Sequence, residues 1–214
     1  MQGIKARGLV WCHAGPVDRG TPFPPLSEAE ARVTHLRAAM ARMVRASITT
    51  SLDVRSWAEL VADLPPEARI MAEAEGELPE WVPIEAITAW IAAFSRTHAR
   101  VPRGGSIADQ LLDQAHPWIQ RALDPALAME AMPRIFQHYH RGGALHLLEH
   151  GPEQARLELW AFVPYPGWHD VLLPAVLHRA LERCGALDTT VRLGRREPGQ
   201  APFHHHYEAR WRRP

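Results

Sequence analysis

The sequence predicts an α+β fold: a helical N-terminal two-thirds packed on a C-terminal four-stranded antiparallel unit of order β-β-α-β-β. Three observations predict it. Apolar residues recur at helical spacing through most of residues 27–140, the period changes to strand alternation at Ala144, and one amphipathic stretch at 168–184 is bracketed by two pairs of extended runs.

The chain has 214 residues, with 24 basic and 24 acidic side chains, so its formal net charge is zero. This balance argues against nucleic acid as a partner, because duplex binding depends on a basic footprint. Hydrophobic residues at 46% and charged ones at 22% exclude wholesale disorder. A single domain over 1–214 is expected, with 1–125 mainly helical and 126–213 mixed. No stretch of about 18 uninterrupted apolar residues occurs, and the opening MQGIKARGLVWCHAGP lacks the apolar core of a secretory signal. The expectation is a cytoplasmic chain without a membrane span. Cys12 and Cys184 lack metal-type partner spacing and read as reduced, unpaired thiols. Thirteen His and eight Trp stand out from this ordinary background and raise the question of a cofactor.

Residues 3–12 read as an edge strand or the lead-in to a helix, and the Gly- and Pro-rich stretch 14–26 reads as a loop. Ser27 opens one helix through Ile48: it can cap, Glu28 and Glu30 suit the N-terminal dipole, and Val33, Leu36, Met40, Met43 and Val44 form its apolar side. A helix over Asp53–Leu64 is stopped by Pro65-Pro66, and a short helical stretch follows to Gly76. Pro83–His98 places Ile84, Ile87, Trp90, Ile91 and Phe94 on one face, while Trp81 reads as a loop residue folded onto the core. Ser106–Leu123, with Trp118 and Ile119 on its apolar side, and Pro125–His140 complete the helical series.

Ala144–His150 and Ala155–Phe162 form a hairpin around Gly151-Pro152-Glu153-Gln154. In the helix of about Trp168–Cys184, Pro174 requires either a start near Leu173 or a kink. Thr189–Arg195 and Phe203–Arg212 are the last two strands, and the helix should cover one face of the sheet.

An opening of the type M-x-G-I-x-A-R-G-L, the strings MPRIFQHYHRGGALHLLEHGPEQARLELWAF and LLPAVLHRALERCGALDTTVRL, and the terminal YEARW resemble a paralogous domain family of undefined function expanded in myxobacteria. That family is similar in turn to the haem nitric-oxide/oxygen-binding (H-NOX) domains and to vinyl-reductase-type small-ligand-binding domains. The resemblance covers about residues 126–213 well and 80–125 loosely. It implies helices packed on a four-stranded sheet, with a ligand cavity between them that in relatives holds haem or a small ligand, and, by analogy, a homodimer. The haem-holding pattern of H-NOX proteins, a proximal His and a Tyr-x-Ser-x-Arg strand motif, is not matched: Leu159, Ala161 and Val163, or Trp160, Phe162 and Pro164 in the neighbouring register, stand at the motif, and Met132 stands near the proximal position.

The densest chemical feature is FHHHYEARW. Strand alternation puts His204, His206, Glu208 and Arg210 on one face and Phe203, His205, Tyr207, Ala209 and Trp211 on the other. His204 and His206 could give a divalent metal two nitrogen ligands, with Glu208 or a hairpin His as the third; a solvated polar stripe explains them as well. In the second cluster, Gln137–Arg141, imidazoles can simply answer the last carbonyls of a helix, or His138 or Tyr139 can reach into the cavity. Trp160 and Trp211 could meet over a sheet face and wall a cavity with His205. No nucleophile elbow, P-loop or dinucleotide fingerprint occurs. Three classes of function follow: a non-enzymatic module, sensory or regulatory, binding a small hydrophobic or weakly polar ligand at His138, Tyr139, Trp160, His205 and Trp211; a ligand-free protein-interaction module; and a metal- or haem-dependent enzyme built on the histidines. The first fits the aromatic supply and the resemblance best.

Overall fold

The structure is a computed structural model that describes residues 24–74, 78–98, 104–115, 124–163, 168–195 and 199–213. The run at 3–12, most of the 14–26 loop, Cys12, Trp118 and Ile119 lie outside the described residues.

Ser27 does open a helix, but a short one. Its hydroxyl accepts from the Glu30 amide while the Glu30 carboxylate accepts from the Ser27 amide, a reciprocal capping box at the start of α1 (Glu28–Ala31). The single helix expected over 27–48 is interrupted by β1 (His35–Arg37) before α2 (Ala38–Thr49) resumes it. Tertiary hydrogen bonds replace the helical ladder here: the Val33 amide donates to the Phe162 carbonyl, and the Thr34 amide to Arg141. The β-branched pair Val33-Thr34 is suited to that extended path.

Asp53 caps α3 (Val54–Ala62) through the Ser56 amide, and Pro66 begins α4 (Pro66–Glu73), where its missing N–H costs nothing. Trp81 is not in a loop but in β2 (Trp81–Pro83), which leads into α5 (Ile84–His98). Trp90 of α5 is wholly buried, and its indole N–H donates to the Ala68 carbonyl at 2.8 Å. α6 covers Gly104–Ala115, and the rest of the expected 106–123 helix lies outside the described residues. α7 (Pro125–Tyr139) is capped by Asp124 and gives way to β3 (His140–Arg141), which pairs with β1 to complete a small sheet of order β2-β1-β3.

The main sheet is antiparallel with order β4-β5-β7-β6: β4 (Ala144–His150), β5 (Gln154–Trp160), β6 (Leu187–Leu193) and β7 (His204–Arg212). Between the hairpins, a π-helical turn at Trp168–Leu172 runs into α8 (Leu173–Arg183), so Pro174 sits in the first turn of α8. Two helices cover the sheet: α7 packs over β4 and α8 over β6, while α6 lies on α8 and α2. Leu157, Leu159, Tyr207 and Ala209 on the covered face are fully buried. One apolar cluster runs from Val33 through both sheets to Trp211.

Candidate functional site

Between α2, α6, α7, α8 and the start of β4 lies a small cavity of about 40 Å³. Met40, Met132, Phe136, Tyr139, His140 and Val176 are among its walls, and no polar surface lines it. Its walls come from α2, α6, α7 and α8, the end of the π-helical turn, and the first residues of β3 and β4. Larger clefts of about 390 and 440 Å³ lie against α8 and against α2, but both are open at the surface with charged rims that include Arg179 and Arg45.

Among the described residues, His140 is the one imidazole on the cavity wall. It caps α7 in an extended conformation, its Nδ1 lies 2.7 Å from the Phe136 carbonyl, and its ring stacks on Phe136 at 4.0 Å. Burial pushes its pKa down to about 4 against the opposing pull of that carbonyl, so the imidazole is neutral at pH 7. Tyr139, 2% exposed, has its phenol pushed up by burial.

The other residues expected at a ligand seat fall elsewhere. His138 is exposed on α7, with Nε2 3.2 Å from an Arg37 guanidinium nitrogen; burial and that cation hold its pKa below the ordinary value. Trp160 pairs with His204 across β5 and β7 and therefore stands on the outer sheet face, whereas Trp211 is on the covered face at the other end of β7. The two indoles do not meet, because an even-numbered and an odd-numbered step along paired strands point to opposite sides. His205 turns inward and stacks on His169 of the π-helical turn at 3.9 Å. Tyr207 beside it donates to the His169 carbonyl at 3.3 Å.

A second constellation occupies the outer face. The register sets Glu158 opposite His206 and His146, and Trp160 opposite His204. His204 Nε2 lies 2.7 Å from Glu158 Oε1, its ring stacks on Trp160 at 3.8 Å and 11°, and it meets His206 at 4.5 Å between ring centroids. One donor atom from each of Glu158, His204 and His206 falls within 4.8 Å of the other two. Glu208, expected as the third metal donor, is not in this group. It is exposed, faces Arg156 and Arg192 across the ladder, and lies 3.9 Å from Arg210. The sequence reading missed Glu158; its alternation with Trp160 along β5 was legible, but its partner on β7 was not.

No family model and no curated protein matches the sequence. Solved structures do. The Fe(II) unliganded H-NOX protein from K. algicida superposes with a TM-score of 0.61 over 84% of this chain and 98% of that one, at 6% identity. The chain has the H-NOX fold. A Cs H-NOX mutant carrying an unnatural amino acid gives a TM-score of 0.62 at 7% identity over 84% and 98% of the two chains. A mutant of the T. tengcongensis H-NOX gives 0.61 at 7% over 84% and 99%. Shared H-NOX architecture at such identity fixes the layers and leaves the site to this chain's own residues.

Haem does not fit the H-NOX-type position formed by the described residues. A ligand of that size needs a cleft of roughly 300 Å³ or more, against about 40 Å³ of apolar space with no cation on its walls. Its one imidazole, His140, has Nδ1 committed to the Phe136 carbonyl, and Met132 contributes a thioether. No helix among the described residues is long and apolar enough to cross a membrane.

Proposed function

We propose that the chain is a non-enzymatic small-ligand-binding module of the sensory or regulatory kind, and that the seat is the apolar cavity lined by Met40, Met132, Phe136, Tyr139 and Val176. The observation that carries this reading is the cavity's position: its walls come from α2, α6, α7, α8 and β4 at once, and they offer no polar surface. A guest there touches α2, α6, α7, α8 and the start of β4 together, so its presence bears on how these elements pack. Apolar cavities in protein interiors stay dry and accept apolar guests, and the unbranched thioethers of Met40 and Met132 can shift to admit one larger than the resting space. The expected class is a small hydrophobic or weakly polar molecule of a few heavy atoms.

Methionine-methyl NMR of the full chain under xenon pressure tests this directly. Saturable shifts at Met40 and Met132 are expected, and Val176→Phe, which fills the space, should remove them without lowering the melting temperature by more than about 5 °C. Unperturbed methyls in the parent protein, together with native mass spectra free of any co-purified small molecule, would reject the ligand reading in favour of a ligand-free interaction module.

A further inference from the structure

We propose that the outer face of the main sheet holds a divalent transition-metal ion of the zinc class between Glu158, His204 and His206. Two imidazoles and a carboxylate are a donor set such ions accept, with a fourth position left for water or an exogenous ligand. The three side chains are brought together by strand register: His204 and His206 project from one face of β7, and Glu158 stands directly opposite His206 on β5. Their donor atoms already lie within 4.8 Å of one another, and ligands at metal distances of about 2.1 Å sit roughly 3.4 Å apart, so a closure of about 1.4 Å completes the site.

The surroundings favour a bound cation over a solvated stripe. Glu158 and His204 keep only 13% and 15% of their side-chain surface exposed. Trp160, itself 8% exposed, lies flat on His204 and fixes the plane of its ring, with Phe203 at 6.2 Å flanking the indole. On the far side the Gly194 amide, just past the end of β6, donates to the His206 carbonyl at 2.7 Å, and a Cβ on Gly194 would come within 3.3 Å of His206 Cβ, so this segment holds that histidine's backbone closely. His146 on β4 stands directly opposite Glu158 and is a neighbour to the carboxylate ligand.

The test uses the full chain stripped with a chelator and titrated with Co²⁺, whose visible absorption reports geometry, and with Zn²⁺ in competition. One ion per chain is expected. His206→Ala and Glu158→Gln should each weaken binding by at least about tenfold and abolish the visible band, while Glu208→Gln should stay within about twofold of the parent. Circular dichroism of the metal-free variants confirms that they fold. Binding by both variants equal to the parent's, or equal weakening by Glu208→Gln, overturns the site, as does a parent that takes up no stoichiometric ion. The result is independent of the methyl shifts that test the cavity.

Discussion

His140 shows how one side chain can record its surroundings. Its neighbours on the cavity wall are Phe136, Tyr139, Met40 and Leu145, and the perturbation comes from burial, with the Phe136 carbonyl opposing it. The folded-state pKa of about 4 is lower than the ordinary 6.5, so the unfolded chain binds its proton first as pH falls. The stabilisation is therefore fully present above pH 6.5 and is lost between there and pH 4, amounting to about 2 kcal/mol already lost at pH 5. His140→Gln keeps a donor for the Phe136 carbonyl and removes the titration. Urea unfolding of the two proteins at pH 7 and pH 5 should show the variant losing about 2 kcal/mol less. His138 and His146 are shifted in the same direction, so the difference between the two proteins isolates the residue. The Gln137–Arg141 cluster is expected to answer the last carbonyls of a helix or to send His138 or Tyr139 into the cavity, and His140 does meet the Phe136 carbonyl from the cap of α7. What local pattern does not show is that His140 also turns inward, which is decided by β3 pairing with β1, more than 100 residues earlier in the chain.

At the scale of elements, the crossing of Gly142-Gly143 between Arg32 and the end of β5 is the tightest joint. Gly142 has φ +89°, and a Cβ there would overlap the Arg32 carbonyl oxygen at 2.0 Å; Gly143, at φ +71°, passes close to the Trp160 carbonyl. Gly142→Ala should thus combine left-handed strain with displacement of the α1–β1 segment and cost about 3 kcal/mol or more in chemical denaturation. Gly185→Ala, also at positive φ but with open space around it, should cost only about 1 to 2 kcal/mol and serves as the comparison. The same joint explains what sequence periodicity misread. A helical pattern over 27–48 was present, and the spacing of Met40, Met43 and Val44 was read correctly, but the bonds from Val33 to Phe162 and from Thr34 to Arg141 are invisible to local pattern. The hairpin, by contrast, was legible because four turn residues and two alternating runs lie next to each other. The pairing of β5 with β7 was not, since α8 and β6 intervene, and the identity of Glu158 as the partner of His206 went with it.

For the whole molecule, Cys184 offers a probe of global opening. It closes α8 at 3% exposure, and burial raises its thiol to about 11, from 9.0. Two units mean about 100-fold fewer thiolates at pH 8, in addition to steric protection. In a Cys12→Ser background, alkylation at pH 8 should be at least about 100-fold slower in the folded protein than in urea, and should accelerate along the same denaturation curve as the circular dichroism. Labelling that runs ahead of the curve would show α8 opening by itself. The layered arrangement was anticipated from the period change at Ala144, because helical and strand periodicities are local signals. The cavity was not placed by those signals: of the five residues expected at a ligand seat, Tyr139 lines it, while Met40 read only as core, Met132 only as the residue near the proximal position, and Val176 was not singled out.

The three consecutive histidines of β7 have a consequence for how mutation acts on this strand. A slip of one residue would still leave an imidazole pointing to each side, so the histidines themselves do little to choose the register. Tyr207, Ala209 and Trp211 choose it, because the same slip would carry two buried aromatic rings into water. Substitutions at Tyr207 or Trp211 can therefore change which histidines meet Glu158 without touching any of them.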